Sequence, residues 1–429
     1  MERADQEGAQ EVAVGVVGLG AVGIPLASML ARAPRTSVRL HDLDEDVLVA
    51  LRDGRSPLAH LDDALVAPLA GQRSSTDPAI LADCDAVLVC VPTPLTELRE
   101  PDLGAVNAAA AAIAAHAREG ALVVLESTTW PGTTREILGG ALASRPDLEV
   151  AYSPERVDPG RVDSSAPGGD PLGARVPKLV GGTSPGATER AAALYGRVFE
   201  SVVPVSSAEV AEAAKLVENV HRAVNIALVG ELKIAFDAMG LDIWEVLDAA
   251  ATKPFGFTRF DPGPGMGGHC LPIDPFYLSW AARRAGAETR FVELSGEINR
   301  EMPAYVASKV EAALQRRDLE VAGARVLLIG VAYKRGVGIT EESPAFPLAA
   351  RLREGGAEVS YCDPLVPLCA LGESRDLDAA LEDGVDVCVV LVDQDGVELE
   401  SVATADVLVV DTRAALRDRM LGDPRYVSA

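Results

Sequence analysis

A single cysteine lies in a glycine-rich segment in the second half of the chain. The segment reads Gly-Met-Gly-Gly-His-Cys-Leu-Pro-Ile-Asp from Gly265 to Asp274, with Cys270 four residues before the carboxylate. A thiolate attacks carbonyl carbons, and glycines leave room for a substrate carbon to approach the sulfur. A cysteine by itself is more often an inert, buried, small apolar residue. Cys270 is therefore a candidate nucleophile whose role depends on what else the chain carries.

A dinucleotide-binding pattern lies near the start of the chain. An apolar strand is predicted at Val12–Val17, then the turn Gly-Leu-Gly-Ala-Val-Gly, a helix through Ala33, and a second strand at Ser37–Leu40 that leads to Asp42. The glycines admit a pyrophosphate to the helix N-terminus, and an acid at this distance accepts hydrogen bonds from a ribose. No arginine follows Asp42, which favours NAD over NADP. The cofactor contacts expected here are Gly18, Gly20, Ala21, Val22, Gly23 and Asp42.

Three further predicted strands each end in a polar or proline-rich loop. They are Ala86–Val91 before Pro92-Thr93-Pro94, Ala121–Leu125 before Glu126-Ser127-Thr128-Thr129, and Leu148–Tyr152 before Ser153-Pro154-Glu155-Arg156. Ligands bind outside the carboxyl ends of the strands in open parallel sheets. We therefore expect these loops to line a site, with Pro92, Thr93 and Thr128 near the cofactor.

The rest of the chain predicts a long helix and a second α/β domain. Ser207–Met239 has continuous apolar faces and no internal proline, so it indicates one long helix that spans two domains or forms a dimer contact. Strands are predicted at Arg325–Gly330, Glu358–Cys362, Val385–Val392 and Val407–Val410. The first turn of this second domain, Gly330–Lys334, lacks the spaced glycines of a pyrophosphate loop, so we expect it to hold a different part of the ligands.

Composition excludes several classes of partner. The chain has 429 residues and a net charge of −25 without a basic cluster, which argues against nucleic acid and anionic membranes. The polar start and the absence of an apolar run of about 18 residues lead us to expect a cytoplasmic protein. The six cysteines are spread out without zinc-type spacing, so we expect reduced thiols and no metal. Lysine is scarce relative to arginine, so each lysine is a candidate for a role that needs a compact ammonium group.

Along nearly its whole length the chain resembles the UDP-glucose/GDP-mannose dehydrogenase family of nucleotide-sugar 6-dehydrogenases. Several motifs occur in the family's order: the Gly18–Gly23 turn, Glu126-Ser-Thr-Thr-Trp-Pro-Gly-Thr133, Ser153-Pro-Glu-Arg156, Lys215 with Asn219, Gly267-Gly-His-Cys270, and Tyr333-Lys334 followed by Glu342-Ser-Pro344. The resemblance implies an α/β fold of two Rossmann-like, doubly wound parallel-sheet domains joined by a long central helix and a helical dimerisation domain. The expected boundaries are 1–205 for the NAD domain, 206–320 for the central domain with the cysteine, and 321–429 for the nucleotide-sugar domain.

The resemblance also implies the reaction. Such enzymes take a sugar CH2OH to a carboxylate in two NAD-dependent hydride transfers through a cysteine thiohemiacetal and thioester. The roles carried over are Cys270 as nucleophile, Lys215 and Asn219 at the C6 oxygen, Asp274 orienting water or taking a proton, and Glu155 and Thr128 assisting hydrolysis. Without the cysteine motif, Lys215 and Asn219 would be read as one solvated helix face.

Substrate binding follows from the same resemblance. The residues expected to meet a UDP- or dTDP-hexose are Glu155, Arg156, Lys215, Asn219, Arg259, Phe260, Gly265, Gly267, Lys334 and Arg413. Family members often dimerise through the central helix, so we expect a homodimer or higher homo-oligomer.

One departure from the family pattern leaves alternatives open. Glu341 stands where the family generally has an arginine before Glu-Ser-Pro, which removes a positive contact near the nicotinamide.

The Thr-Thr-Trp-Pro-Gly-Thr and Gly-His-Cys-Leu-Pro-Ile-Asp loops resemble the UDP-N-acetylhexosamine branch, while oxidation of UDP- or dTDP-glucose stays an alternative. The other hypotheses are a two-electron 3-hydroxyacid-type dehydrogenase that uses Lys215 and Asn219 alone, and a catalytically silent nucleotide-sugar-binding protein.

Overall fold

The computed structural model describes residues 11–58, 61–96, 100–156, 173–268 and 271–429. These residues form two compact units. The first unit runs to Glu218 and includes Trp280–Gly286, and the second comprises Asn219–Ser279 and Ala287–Ala429.

The first unit is built on an eight-stranded sheet. Its strands are β1 (Val12–Val17), β2 (Thr36–His41), β3 (Arg73–Ser75), β4 (Ala86–Val89), β5 (Leu122–Leu125), β6 (Glu149–Tyr152), β7 (Lys178–Gly182) and β8 (Val202–Pro204). The order in space is β3-β2-β1-β4-β5-β6-β7-β8. All neighbours pair in parallel except β6 and β7, which are antiparallel. The first six strands therefore have the order of a dinucleotide-binding domain.

Helices of the first unit pack on this sheet. They are α1 (Gly23–Arg32), α2 (Glu45–Arg52), α3 (Asp63–Val66), α4 (Gly104–His116), α5 (Gly139–Ala141) and α6 (Pro185–Tyr195), with 3-10 turns at Ala67–Leu69 and Pro78–Asp83 and a π-helical turn at Thr134–Leu138. Side-chain caps start several of them, since Asp44 accepts from the N–H of Asp46 and Ser184 from that of Ala187.

The second unit contains a five-stranded parallel sheet and a two-stranded ribbon. The sheet strands are β9 (Arg325–Ile329), β10 (Glu358–Cys362), β13 (Val387–Val390), β14 (Leu408–Asp411) and β15 (Tyr426–Ser428), and the ribbon is β11 (Leu368–Cys369) with β12 (Gly372–Glu373). The spatial order is β10-β9-β13-β14-β15. This is the other common order of doubly wound domains, with its switch point between β9 and β13.

Helices α7 to α14 complete the fold. They are α7 (Ala208–Met239), α8 (Ile243–Ala251), α9 (Asp274–Arg284), α10 (Arg290–Gln315), α11 (Ala345–Glu354), α12 (Leu377–Glu382), α13 (Leu399–Thr404) and α14 (Arg417–Met420). Helix α7 has 32 residues and contributes to both units, which divide after Glu218. Helix α10 contains Pro303.

Both sheets have apolar clusters that explain the sequence pattern. Strands β4, β5 and β13 are buried at every position, so their sequences show continuous apolar runs instead of alternation. In the second sheet, Leu328 and Val389 belong to one cluster while Leu327 and Cys388 belong to another, as alternating faces require.

The α/β prediction with two doubly wound sheets and a long helix is confirmed, with local differences. The prediction did not include β3 and β15, because three-residue strands leave a weak sequence signal. The antiparallel pairing of β7 also departs from an all-parallel sheet.

Candidate active site

The glycine turn after β1 lies at the switch point of the first sheet, between β1 and β4. Gly18 has φ +90°, and a Cβ there would lie 2.7 Å from the Cys90 carbonyl oxygen. A Cβ at Gly23 would overlap the Gly18 carbonyl oxygen, whereas a Cβ at Gly20 would meet nothing within 4 Å. Gly18 and Gly23 are thus required by the turn itself. Gly20 and Ala21 are exposed, which leaves space for a ligand against the backbone.

Asp42 is held in place by the same turn. Its Oδ2 accepts the Leu19 N–H at 2.6 Å and its Oδ1 accepts the Asp44 N–H at 3.0 Å. The next residue, Leu43, is 85% exposed and uncharged. Helix α1 begins after Val22 without a side-chain cap, so its N-terminus lies at this turn, although the Ile24 N–H already donates to the Gly20 carbonyl oxygen at 3.1 Å. These residues fit an NAD molecule, with a carboxylate for the ribose and no cation for a 2′-phosphate.

The loops after β4 and β5 meet beside this turn. The Thr93 hydroxyl donates to the Thr128 carbonyl oxygen at 2.8 Å, which brings together two predicted cofactor residues. Thr93 is buried, Thr128 is half-buried and Pro92 is exposed. This hydrogen bond therefore links the loop that carries Thr128 to the loop after β4.

Lys215 and Glu155 are brought together in the first unit. The Lys215 Nζ donates to the Glu155 backbone carbonyl oxygen at 2.6 Å, and Lys215 is 8% exposed. Lys215 is therefore buried and does not lie on a solvated helix face. Arg156 forms an ion pair of 2.7 Å with Glu218 and donates to the Pro177 carbonyl oxygen at 2.8 Å, so its guanidinium already has partners.

Asn219 and Asp274 are brought together in the second unit. Asn219 Nδ2 donates to Asp274 Oδ2, which joins α7 to the first residue of α9. Asp274 is only 2% exposed. The carboxylate is therefore oriented by the amide that lies one helical turn after Lys215.

Cys270 and His269 lie outside the described residues, but the glycines before them are described. A Cβ at Gly268 would lie 2.7 Å from the Tyr333 ring, and one at Gly267 would lie 2.8 Å from the Glu342 carbonyl oxygen. The Gly268 N–H donates to the Glu341 carbonyl oxygen at 2.9 Å. We expected these glycines to make room for substrate, and the space beside these two is instead filled by Tyr333 and the 341–342 backbone.

Loops of the second sheet hold two of the other predicted substrate residues, Lys334 and Arg413. The Lys334 ammonium lies 5.6 Å from the Tyr333 ring centroid. Arg413 Nε donates to the Leu391 carbonyl oxygen at 2.8 Å, and its guanidinium packs where a Cβ on Gly263 would be. Burial lowers the pKa of Arg413. Lys334 and Arg413 thus follow β9 and β14 at the carboxyl edge of the sheet.

Three other predicted substrate residues have structural neighbours. Arg259 pairs with Asp248 and with Asp261, the latter at 2.7 Å. The Phe260 ring contacts His221 edge-on, with 5.8 Å between centroids. Gly265 approaches Pro344, whose Cβ would lie 3.1 Å from an added Cβ. Their substrate roles stay predictions.

The turn after β9 differs from the turn after β1. Asp363 follows β10 as Asp42 follows β2, but it is fully buried and its Oδ2 accepts the N–H groups of Val331 and Ala332 at 2.9 and 3.0 Å. These N–H groups are already bonded, so this turn does not offer them to a pyrophosphate. This agrees with the sequence, in which the turn Gly330–Lys334 lacks the spaced glycines of a pyrophosphate loop.

Sequence reasoning missed three groups beside these loops. Glu126, Lys178 and Tyr195 form a buried cluster under the loops of Thr128 and Glu155. Gln394 donates to the Lys334 carbonyl oxygen at 3.3 Å and accepts from the Gly336 N–H. Tyr333 packs on Gly268, as above. The scarcity of lysine was the one signal that pointed to Lys178.

Four of the five described cysteines lack the features of a nucleophile. Cys84, Cys90, Cys362 and Cys388 are buried and unpaired. Burial raises the pKa of Cys84 and Cys388 to about 12 and that of Cys362 to about 11. Across the described ranges, no group of three or more His, Cys, Asp or Glu side chains is placed to hold a metal. No helix in this part of the chain is long and apolar enough to span a bilayer.

These features define a class: an NAD-dependent oxidoreductase with one dinucleotide-binding sheet and a second, modified sheet for another ligand. The chain belongs to the UDP-glucose/GDP-mannose dehydrogenase family. The models for that family match its NAD binding domain at residues 12–199, its central domain at 209–301 and its UDP binding domain at 327–418. The protein is accordingly an NAD-dependent nucleotide-sugar dehydrogenase.

Relatives of known activity support this assignment. The chain is 34% identical to the UDP-N-acetyl-D-glucosamine 6-dehydrogenase of Pseudomonas aeruginosa, covering 83% of this chain and 84% of the relative. It is 33% identical to the NDP-N-acetyl-D-galactosaminuronic acid dehydrogenase of Ralstonia nicotianae, covering 93% and 95%. A solved UDP-D-ManNAc dehydrogenase from Pyrococcus horikoshii has 29% identity and a TM-score of 0.82, covering 94% and 95%.

Proposed function

We propose that this chain oxidises C6 of a UDP-N-acetylhexosamine from alcohol to carboxylate. Relatives that act on 2-acetamido sugars, at 31–34% identity, and the loop motifs around Thr128 and Cys270 support this choice over UDP- or dTDP-glucose. NAD held at the Gly18–Gly23 turn would supply the hydride acceptor, with one NAD molecule used in each of the two oxidations. The two-electron 3-hydroxyacid reaction is disfavoured because the chain carries the UDP binding domain of the family.

In the first oxidation, C6 loses a hydride to the cofactor and the C6 hydroxyl gives its proton to the amine of Lys215. We propose that Lys215 and Asn219, which lie one helical turn apart on α7, contact the C6 oxygen and stabilise the negative charge that develops on it. The Glu155 carbonyl fixes the Lys215 ammonium, and Asp274 fixes the Asn219 amide.

In the second oxidation, the Cys270 thiolate adds to the aldehyde, and loss of the second hydride leaves a thioester. Water then adds to the thioester carbon, and the sulfur leaves as thiolate. Asp274 and Glu155 orient this water or take its proton, and Thr128 helps to hold it. The observation that carries the proposal is the Asn219–Asp274 hydrogen bond, because it ties the oxyanion helix to the carboxylate four residues after Cys270.

The substrate and the stoichiometry are tested together. We expect a panel of UDP-GlcNAc, UDP-ManNAc, UDP-GalNAc, UDP-glucose and dTDP-glucose to give fastest NADH formation with an acetamido sugar, at two NADH per sugar. In Cys270→Ser and Cys270→Ala we expect loss of the acid product with NAD binding retained. One NADH per turnover that is indifferent to Cys270 selects the two-electron reaction, and sugar binding without NADH formation selects a silent binder.

Oligomeric state and location complete the proposal. We propose a homodimer that uses α7 and its neighbour α10, because both carry exposed apolar side chains. We also propose a cytoplasmic location, since the described cysteines are unpaired and a nucleophilic thiol has to stay reduced.

A further inference from the structure

A buried ion pair lies under two loops of the first unit. Lys178 Nζ is 2.6 Å from Glu126 Oε2, and the two side chains are 3% and 0% exposed. The Tyr195 hydroxyl donates to the other carboxylate oxygen of Glu126. The roles proposed above do not use any of these three residues.

The antiparallel strand explains how the lysine reaches this edge of the sheet. Strands β5 and β6 end here, and β7 runs opposite to β6, so β7 begins where they end. Lys178 is the first residue of β7. Its ammonium lies 5.0 Å from the Tyr195 ring centroid and 5.4 Å from that of Phe199. A strand parallel to β6 would have placed this residue at the opposite edge.

The pair contacts both loops that carry proposed catalytic residues. Lys178 Nζ also donates to the Pro154 carbonyl oxygen at 3.1 Å, and the next carbonyl, that of Glu155, accepts from Lys215 Nζ at 2.6 Å. Glu126 lies two residues before Thr128. Two adjacent carbonyls are thus held by two ammonium groups, one from β7 and one from α7.

Burying these charges has a cost that packing alone does not require. Burial raises the pKa of Glu126, although Lys178 opposes that rise. An apolar pair of similar volume packs a core at least as well as a buried ion pair. Unlike an apolar side chain, the Lys178 ammonium orients its neighbours, because it donates hydrogen bonds to the Glu126 carboxylate and to the Pro154 carbonyl oxygen at the same time.

We propose that Glu126 and Lys178 are positioning residues for the nucleotide-sugar oxidation. Lys178 fixes the 154–155 backbone, which in turn fixes the Lys215 ammonium, and Glu126 fixes the start of the Thr128 loop. The inference rests on the proposed function. It predicts that loss of the pair lowers kcat while both substrates still bind.

The test removes both charges at once. In the double variant Glu126→Gln/Lys178→Met no buried charge is left alone, so we expect a melting temperature within a few degrees of wild type. We expect kcat to fall at least tenfold, with the KM values for NAD and nucleotide sugar within threefold of wild type. The second variant is Lys178→Met alone, in which Glu126 takes up a proton because its pKa is already raised. The same kcat loss is expected there.

A matched pair at the other end of β6 supplies the control. Arg145 and Asp147 pair at 2.8 Å in the loop before β6, away from the catalytic loops. We expect Arg145→Met to lower the melting temperature without changing kcat. The inference is overturned if the double variant retains kcat within twofold, or if only the KM values rise. Wild type is assayed first, and a failure to give two NADH per sugar contradicts the proposed function instead.

Discussion

Gly18 and Gly20 of the cofactor-binding turn are glycines for different physical reasons. Gly18 is required by a positive φ and by the Cys90 carbonyl oxygen 2.7 Å from a Cβ, whereas Gly20 faces open space. We expect Gly18→Ala to lower the free energy of unfolding by about 3 kcal/mol. We expect Gly20→Ala to unfold like wild type and to raise the KM for NAD about tenfold, because its methyl enters the space for the pyrophosphate.

Urea unfolding and initial rates measured on the two variants separate these effects. Equal free energies of unfolding for the two variants would contradict the steric argument at Gly18. An unchanged KM for NAD in Gly20→Ala would contradict the location of the pyrophosphate.

Asp42 is expected to set the choice between NAD and NADP. Its carboxylate is oriented by the N–H groups of Leu19 and Asp44 and would repel a 2′-phosphate. We expect Asp42→Asn to raise the KM for NAD about tenfold. We also expect it to bring the kcat/KM for NAD closer to the kcat/KM for NADP. Asp44→Asn is the control, since Asp44 caps α2. A preference for NADP in the wild type would contradict this role.

At the scale of elements, one buried carboxylate joins α7 to the loop after β5. Glu212 is fully buried on α7, and its oxygens accept from the N–H groups of Gly132 and Thr134 at 2.6 and 2.7 Å and from the Thr134 hydroxyl. Burial raises the pKa of Glu212 to about 7, against these hydrogen bonds. Glu209 lies three residues earlier on α7 and pairs with Arg135 at 2.6 Å.

The raised pKa predicts a stability that falls as pH rises. The folded protein holds the Glu212 proton more tightly than the unfolded chain, whose ordinary value is 4.5. The stabilisation is complete below pH 4.5 and is lost as pH rises through about 7, with a total of about 3 kcal/mol. In Glu212→Gln we expect the decline of the free energy of unfolding between pH 5 and 8 to be smaller than in wild type by that amount.

Glu209→Gln is the control for this measurement. Arg135 lowers the pKa of Glu209 to about 2, so this carboxylate stays charged from pH 5 to 8. Its charge makes only a minor contribution to the raised pKa of Glu212, so we expect Glu209→Gln to keep most of the wild-type decline. Urea titrations at four pH values measure the difference. Parallel curves for wild type and Glu212→Gln would contradict the raised pKa.

The sequence predicted elements where the signal is local and missed those set by distant contacts. The bounds of β1 and β10 match the predictions, and α7 begins one residue later than predicted, because apolar runs and a proline-free stretch specify them. The direction of β7 depends on which strand it pairs with, and its five residues carry no sign of that. The role of Lys178 follows from this direction and was therefore hidden as well.

At the scale of the whole molecule, the predicted site residues come from loops and helices that lie far apart in the sequence. The family resemblance predicts Glu155, Lys215, Asn219 and Asp274 as members of this site. It did not predict that Lys215 contacts Glu155 or that Asn219 contacts Asp274. The packing of Tyr333 against Gly267 and Gly268 was also not predicted, because it depends on a loop some 65 residues further along the chain, and the substrate role of Gly267 stays a prediction.

The exposed apolar side chains of α7 and α10 are the proposed contact of the homodimer. Leu228 and Met239 on α7 are 48% and 67% exposed, and Phe291 on α10 is 78% exposed. Apolar side chains of this size gain free energy when a second copy covers them, and a charge among them removes that gain. We expect light scattering to give twice the mass of one chain for wild type and a single-chain mass for Leu228→Glu. Leu421→Glu is the control, because Leu421 is 64% exposed beyond α14 and should leave the dimer intact. A monomeric wild type would contradict the proposal, and a dimeric Leu228→Glu would move the contact away from this part of α7.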